Sequence, residues 1–201
     1  MTHRSLYASG LLVLALALPT AASAQQGGSI EVPAVPSNLA VEAGNVPYLQ
    51  TRAYGTQNYI CLPSDRGVAW KLFGPQASLY PGDSPFQIAT HFLSPNPEEE
   101  GMPRATWQHS HDGSAVWAKA VQPSTDPNFV APGAIPWLLL VKVGTAEGTA
   151  AGSLMAQTTF IHRVNTEGGV APATGCTIKS QIGAIALVPY STDYFFYRAE
   201  K

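Results

Sequence analysis

The sequence predicts a single all-β domain, either an antiparallel β-sandwich or a β-barrel with long loops rich in glycine and proline. Eight or nine short segments are rich in apolar and aromatic residues, and clusters of glycine and proline separate them. No stretch of eleven or more residues combines helical apolar spacing with a helix cap. This combination is typical of all-β domains.

The N-terminus has the pattern of a secretory signal. Arg4 precedes an apolar run over residues 11–18, and Ala22-Ser23-Ala24 has the small residues that a signal peptidase requires. We predict a signal peptide over residues 1–24, an extended lead-in over 25–38 and one β-rich domain over 39–201. The apolar run is shorter than the roughly 20 residues that cross a bilayer. We therefore expect an exported protein, periplasmic or extracellular, with no membrane span.

Cysteine usage agrees with export. Cys61 and Cys176 are the two cysteines of the chain, and an even count in an oxidising compartment predicts one disulfide. Metal or redox thiols are the alternative, although no Cys-x-x-Cys spacing occurs. A bond between Cys61 and Cys176 would close a long loop, for which the chain-entropy model gives a stabilisation on the order of 4–5 kcal/mol.

The strands follow from apolar runs and turn residues. We predict them over residues 59–62, 68–73, 86–93, 105–111, 114–121, 135–143, 154–165, 184–188 and 193–198. Gly74-Pro75 is expected to end the second strand, and Asp112-Gly113 to form a two-residue hairpin turn.

The longest alternating segment, 154–165, organises the domain. Strand side chains alternate between faces, so His162 and Val164 are predicted on the core face and Arg163 on the outer face. A bulge would exchange the two faces.

Charge and glycine spacing exclude several functions. Charged residues make up 12% of the chain, and the basic ones are scattered, so no nucleic-acid-binding face is predicted. Gly144, Gly148 and Gly152 are four residues apart and lack the spacing of a dinucleotide-binding loop. We predict no cofactor and no nucleic-acid partner.

Two groups of side chains have the chemistry of a metal site or a catalytic base. His109 and His111 lie at i and i+2 on one hairpin face, with His91 or Asp112 as a third ligand, but two ligands do not define a metal site. We predict no bound metal. His162 is either a core histidine or a catalytic base assisted by Arg163, Asp112 or Asp193.

An ordered series of blocks carries a family resemblance. The blocks comprise residues 55–61, 74–79, 106–107, 112–114, 135–140, 162–166, 168–169, 171–172, 175–176, 188–191 and 194–197, together with Trp70 and His91. The chain resembles the family catalogued as domain of unknown function 3455, whose members are exported proteins of bacteria, fungi and plants without an established activity. Some fungal members are labelled malate dehydrogenase, but this sequence has neither the dinucleotide motif nor an α/β pattern. The resemblance singles out His91, Trp107, Asp112, His162 and Arg163, and leaves His109 and His111 in variable positions.

These observations leave three functional hypotheses. The first is an exported β-domain that binds a small or carbohydrate ligand, with a predicted site of His91, Trp107, His162, Arg163, Asn165 and Thr166. The second is a hydrolase or lyase that uses His162, and the third is a structural or stress-related extracellular protein without a small ligand. We predict that the protein is not an NAD-dependent dehydrogenase.

Overall fold

A computed structural model describes Met1 and residues 29–82, 84–149 and 152–201. Most of the predicted signal peptide, residues 2–24, and the first part of the predicted lead-in, 25–28, therefore lie outside the described residues. Within the described ranges, no helix has the length and apolar character that a membrane crossing requires.

The described chain folds as a closed barrel of eight antiparallel strands, each paired with the next, and with β8 paired to β1. The strands are β1 Asn45–Ser64, β2 Gly67–Tyr80, β3 Ala89–Asn96, β4 Met102–His109, β5 Ala115–Ser124, β6 Trp137–Ala146, β7 Phe160–Gly168 and β8 Ile185–Ala199. Three single-turn 3-10 segments, Ser37–Leu39, Pro97–Glu99 and Lys179–Gln181, lie between them. The all-β prediction is confirmed, and the architecture is the barrel.

Several predicted strand boundaries are wrong because pairing in the closed sheet overrides local breaking residues. β2 continues through Gly74-Pro75, where a register shift opposite Asn58 and Tyr59 absorbs the irregularity and Gly74 takes a φ of 150°. The two predicted C-terminal strands are one strand, β8, which runs through Pro189. β7 begins at Phe160, because residues 154–157 form turns.

The Asp112-Gly113 turn is also longer than predicted. The hairpin closes with a hydrogen bond of 2.9 Å from His109 N–H to Ser114 O, which leaves four residues in the loop. Trp107 and Val116 of this hairpin both point into the barrel, where they belong to the interior cluster.

The main core fills the barrel interior. Its buried residues come from all eight strands, and the largest of them are Trp107, Tyr194 and Phe196. Cross-strand pairing places Ala77, His91, Trp107 and Val116 in one row across β2 to β5. Because paired residues share a face of the sheet, His91 points inward with the others.

A second apolar cluster covers the outside of the barrel. Leu39 from the 3-10 segment Ser37–Leu39 and Val130 from the β5–β6 loop pack on Trp137, Val164 and Phe195 of β6 to β8. β6 is therefore buried on both faces, which explains its nearly continuous apolar sequence.

The inner and outer faces of β7 are the opposite of those predicted. Ile161 belongs to the interior cluster, whereas Val164 packs in the outer one, so Arg163 points inward and His162 outward. Because both faces of β7 carry apolar residues, the alternation did not identify the inner face.

The predicted disulfide is confirmed. Cys61 at the end of β1 is bonded to Cys176 in the β7–β8 loop, with the two Cα atoms 5.4 Å apart. The bond attaches this loop to the rim of the barrel.

Candidate functional site

The two ends of the barrel differ in how they are covered. At one end, which we call the closed end, residues 110–114 and 152–159 lie against the strand ends. At the other, the open end, the connections are residues 65–66, 97–101, 125–136 and 169–184. The predicted site residues are divided between these ends and the outer cluster.

The closed end is held by a buried polar network around Asp112. Its Oδ1 accepts hydrogen bonds from Ser114 N–H at 2.8 Å and from the Ser114 hydroxyl at 2.6 Å, and its Oδ2 accepts one from Leu154 N–H at 3.1 Å. Burial acts to raise the pKa of Asp112, but these hydrogen bonds outweigh it and hold the pKa well below its usual value. Asp112 is therefore a charged structural anchor for residues 152–155.

The open half of the barrel contains a cavity of about 400 Å³, which we call the lumenal cavity. All eight strands contribute to its lining. Its apolar wall includes Ala118, Leu138 and Leu140, and the exposed side chains of Leu72, Phe73 and Leu93 lie at its mouth. A volume of this size is within the range of small-molecule sites.

Arg163 is the charged group on the floor of the lumenal cavity. Its Nη2 donates a 2.8 Å hydrogen bond to Pro136 O, and Nε has no hydrogen-bond partner among the described residues. Part of Arg163 is accessible and lines the cavity, but protein surrounds the guanidinium closely enough that burial lowers its pKa. The phenols of Tyr194, Tyr190 and Tyr59 act in the opposite direction.

Further polar groups on this floor also lack protein partners. Gln57 Nε2, Trp107 Nε1 and Tyr194 Oη belong to cavity-lining residues that are at most 2% exposed, and none makes a hydrogen bond of good distance and angle within the described residues, although the Tyr194 hydroxyl lies near Arg163 and Tyr190. Tyr190 Oη also makes no hydrogen bond of good distance and angle within the described residues, although it lies near the Tyr194 hydroxyl and the Gln57 side chain. Buried polar groups in folded proteins are normally hydrogen-bonded, so a cluster of unpartnered ones indicates a site for a ligand or water.

His91 borders the same floor in a defined tautomer. Its ring stacks on Trp107 with centroids 4.1 Å apart, and Nδ1 lies 2.9 Å from Thr106 O. Because a carbonyl only accepts, Nδ1 carries the proton and Nε2 is an acceptor. Burial lowers the pKa of His91 to about 3, so the ring is neutral at physiological pH.

The charged residues of the lumenal cavity are all basic. Arg104 and Lys119 line it in addition to Arg163, and no carboxylate lies in the lining within the described residues. Arg104 is neutralised by Glu99 through hydrogen bonds of 2.6 and 2.7 Å, and Lys119 is exposed. Arg163 is therefore the one inward cation without a carboxylate partner in the described part of the chain.

A groove of about 880 Å³ adjoins the cavity, and both are lined by Phe73, Gly74, Pro75, His91 and Leu93. β2 and β3 pair only through Gln76–Leu79 and Ala89–Phe92, so the groove lies where this pairing ends.

The structure brings together three of the predicted ligand-binding residues, His91, Trp107 and Arg163. Thr166 is buried outside the cavity lining and donates a 2.6 Å hydrogen bond to Ile135 O. Asn165 is exposed at a bulge with a φ of 50°, and its Nδ2 donates to Asp193 Oδ2 at 2.7 Å.

His162 attaches the 3-10 segment Ser37–Leu39 to the barrel wall. Its Nε2 donates a 2.7 Å hydrogen bond to Leu39 O, and its Nδ1 accepts one of 2.9 Å from the Tyr197 hydroxyl. Both ring nitrogens are thus used, and burial lowers the pKa of His162. His162, Arg163 and Asp112 lie in three different environments, so no shared cleft supports the hydrolase hypothesis.

His109 and His111 lie at the closed end with ring centroids 6.4 Å apart. His109 Nδ1 is 2.9 Å from Asp112 Oδ1. In residues 29–82, 84–149 and 152–201, no group of three or more His, Cys, Asp or Glu residues has the arrangement of a metal site.

Sequence reasoning missed Gln57, Tyr190 and Tyr194 as site residues. Gln57 lies in the 55–61 block, and Tyr190 and Tyr194 lie on the inner face of β8 at a spacing of four. A strand predicted through Pro189 would have placed both tyrosines on one face with Phe196, so the signal was present but was interrupted by the assumed break.

Residues 42–198 match the family described as Protein of unknown function (DUF3455). The match covers most of the chain, which therefore belongs to this family. No curated protein and no solved structure matches the chain.

Proposed function

We propose that this protein binds a small organic molecule inside the barrel, in the lumenal cavity. The observation that supports the proposal is the combination of an apolar wall with a floor of buried polar groups that lack protein partners. Ligand sites in proteins have this composition, because apolar walls provide affinity and a few polar groups fix orientation.

A molecule with an apolar body fits the cavity better than a carbohydrate. Sugar platforms present an open aromatic face, but His91 covers one face of Trp107, and the edges of Tyr194 and Phe196 pack near it. Trp117 and Trp137 are buried, and Trp70 donates its indole N–H to Thr174 O. The described tryptophans therefore leave no open stacking surface in the cavity.

The structural-protein alternative predicts that the lumen serves only to pack the core. It does not account for the unpartnered floor, because a purely structural core favours apolar side chains or fully paired polar ones. This contrast makes ligand binding a testable distinction between the two hypotheses.

The test blocks the cavity and measures binding of a neutral apolar fluorophore, N-phenyl-1-naphthylamine. Ala120 is exposed and lines the cavity, so Ala120→Trp fills its mouth with little change to the core. Val121→Trp is the matched control, because Val121 is exposed on the same strand but outside the lining. We expect saturable fluorescence enhancement in the wild type and in Val121→Trp, and its loss in Ala120→Trp.

Thermal unfolding of each variant confirms that the barrel is intact. Equal fluorophore binding by Ala120→Trp and the wild type would contradict a lumenal site. Absence of binding by the wild type would contradict a cavity with an apolar interior that small molecules can reach.

A further inference from the structure

We propose that the floor of the lumenal cavity is a carboxylate-binding site, so the ligand is an organic monocarboxylate with an apolar body. This inference rests on the proposed function and specifies the chemical class of its ligand. The carboxylate would lie against Arg163 and Tyr194, and the apolar body would extend along the wall toward the mouth.

The positive charge of Arg163 favours an anionic ligand. Arg163 lies inside the barrel, where a charge is costly unless it is paired, and no salt bridge to it exists within the described residues. Its one protein hydrogen bond goes to the neutral Pro136 carbonyl. A ligand carboxylate would supply the missing negative charge.

The polar groups on the cavity floor can donate several hydrogen bonds to a ligand. The unpartnered atoms include the donors Arg163 Nε, Trp107 Nε1 and Gln57 Nε2, and the Tyr194 hydroxyl can also donate. Burial raises the pKa of Tyr194 well above its usual value, so its hydroxyl keeps its proton. Several donors with no buried carboxylate among them match the acceptor-only chemistry of a carboxylate, which a guanidinium binds with two parallel hydrogen bonds.

The number of unpaired cations in the cavity indicates the number of negative charges on the ligand. Arg104 is already paired with Glu99, and Lys119 is exposed at the mouth. One unpaired inward cation matches one negative charge, whereas phosphate groups carry about two charges at neutral pH. The geometry thus favours a monocarboxylate over a phosphate ester.

The apolar wall determines the orientation of the ligand. Ala118, Leu138 and Leu140 line the cavity beside the polar floor, and its exposed rim comprises Leu72, Phe73 and Leu93. A carboxylate on the floor therefore places the apolar body against leucine side chains, where its burial is favourable. The opposite orientation would leave Arg163 without a counter-charge.

The experiment compares acids with alcohols of the same skeleton. Isothermal titration calorimetry with octanoate and 1-octanol, and with 3-phenylpropanoate and 3-phenylpropanol, measures the contribution of the carboxylate. We expect the wild type to bind at least one acid about 10-fold or more tightly than its alcohol, since charge-assisted hydrogen bonds are roughly twice as strong as neutral ones.

Arg163→Met removes the floor cation and keeps the length of the side chain. We expect the affinity for the acid to fall about 10- to 100-fold, with little change for the alcohol. Lys119→Met is the matched control, because it removes an exposed cation from the same lining, and we expect a change of less than about 3-fold there. If Arg163→Met does not fold, the wild-type comparison of acid with alcohol still decides the question.

The outcomes separate the two proposals. Equal affinity for acid and alcohol in the wild type, or an acid affinity that Arg163→Met leaves unchanged, overturns the carboxylate site and leaves lumenal binding intact. Binding of N-phenyl-1-naphthylamine without binding of any acid also overturns it. Failure of every probe, including the neutral fluorophore, overturns both the site and the proposed function.

Discussion

The closed and open ends of this barrel differ in the hydrogen bonding of their buried polar groups. At the closed end, Asp112 is charged, buried and hydrogen-bonded to Ser114 and Leu154. At the open end, Arg163 is a charged group on the floor of a cavity, among polar atoms without partners in the described residues. The difference indicates that Asp112 contributes to stability, whereas the proposed function assigns Arg163 to ligand binding.

Close backbone packing strengthens the closed end. A Cβ added at Gly152 would lie 2.6 Å from Asp112 Oδ2, and one added at Gly148 would meet Asp112 O. The glycine spacing that lacks a dinucleotide motif therefore has a structural explanation, since only glycine lets the chain approach Asp112 so closely. The open end has a covalent attachment instead, the Cys61–Cys176 disulfide.

The largest effect is expected from that disulfide. The double variant Cys61→Ala, Cys176→Ala releases a loop with a sequence separation of 115, and we expect a loss on the order of 4–5 kcal/mol in the free energy of unfolding. Guanidinium denaturation measures this loss, with wild-type protein under reducing conditions as an independent comparison. A loss below about 1 kcal/mol would show that the rim holds without the covalent bond.

The next largest effect is expected at the closed end. Asp112→Ala leaves the Ser114 and Leu154 N–H groups unpartnered, so we expect a loss of about 2–4 kcal/mol in urea denaturation. Asp126→Ala is the matched control, because Asp126 Oδ1 accepts from Asn128 N–H in an exposed turn. We expect that control to lose less than about 1 kcal/mol, and equal losses in the two variants would contradict the anchoring role of Asp112.

The third effect is a pH dependence from His91. Its folded-state pKa of about 3 lies below the ordinary value of 6.5, so the unfolded chain binds the proton first as the pH falls. This contribution to stability is complete above about pH 6.5 and is lost as the pH falls toward 3. At roughly 1.4 kcal/mol per pH unit, it amounts to about 1.5–2 kcal/mol between pH 6.5 and 5.

Urea denaturation across pH 5–7 tests this prediction. His91→Phe keeps an aromatic ring on Trp107 and should reduce the slope to the part that comes from His162, whose pKa is also lowered, while the exposed His111→Asn should keep the wild-type slope. If acid destabilises His91→Phe as much as the wild type, the pH dependence arises from other groups and the prediction is wrong.

The smallest effect on stability is expected from Arg163→Met in the absence of ligand. The variant loses the hydrogen bond to Pro136 O but also removes an unpaired inward cation, and these changes oppose each other. We expect a change within about 1 kcal/mol in urea denaturation, in contrast to Asp112→Ala. A loss above about 3 kcal/mol would give Arg163 the same structural role as Asp112 and remove the distinction between the two ends.

Part of the candidate site was predictable from the sequence. His91, Trp107 and Arg163 were singled out by the resemblance and do line one cavity. Asp112 and His162 were singled out in the same way, but they hold the closed end and the first 3-10 segment. Sequence blocks do not distinguish residues that anchor loops from residues that face a ligand, because both have specific hydrogen-bonding requirements.

The sequence by itself determined the all-β class, the disulfide and the family of this protein. These depend on local composition, on cysteine number and on the order of motif blocks, which are all visible without coordinates. Only the tertiary structure decided that the sheet closes between β1 and β8 and that Arg163 faces inward. Alternation assigns residues to two faces of a strand, but it cannot name the inner one when the lead-in buries the outer face of β7 as well.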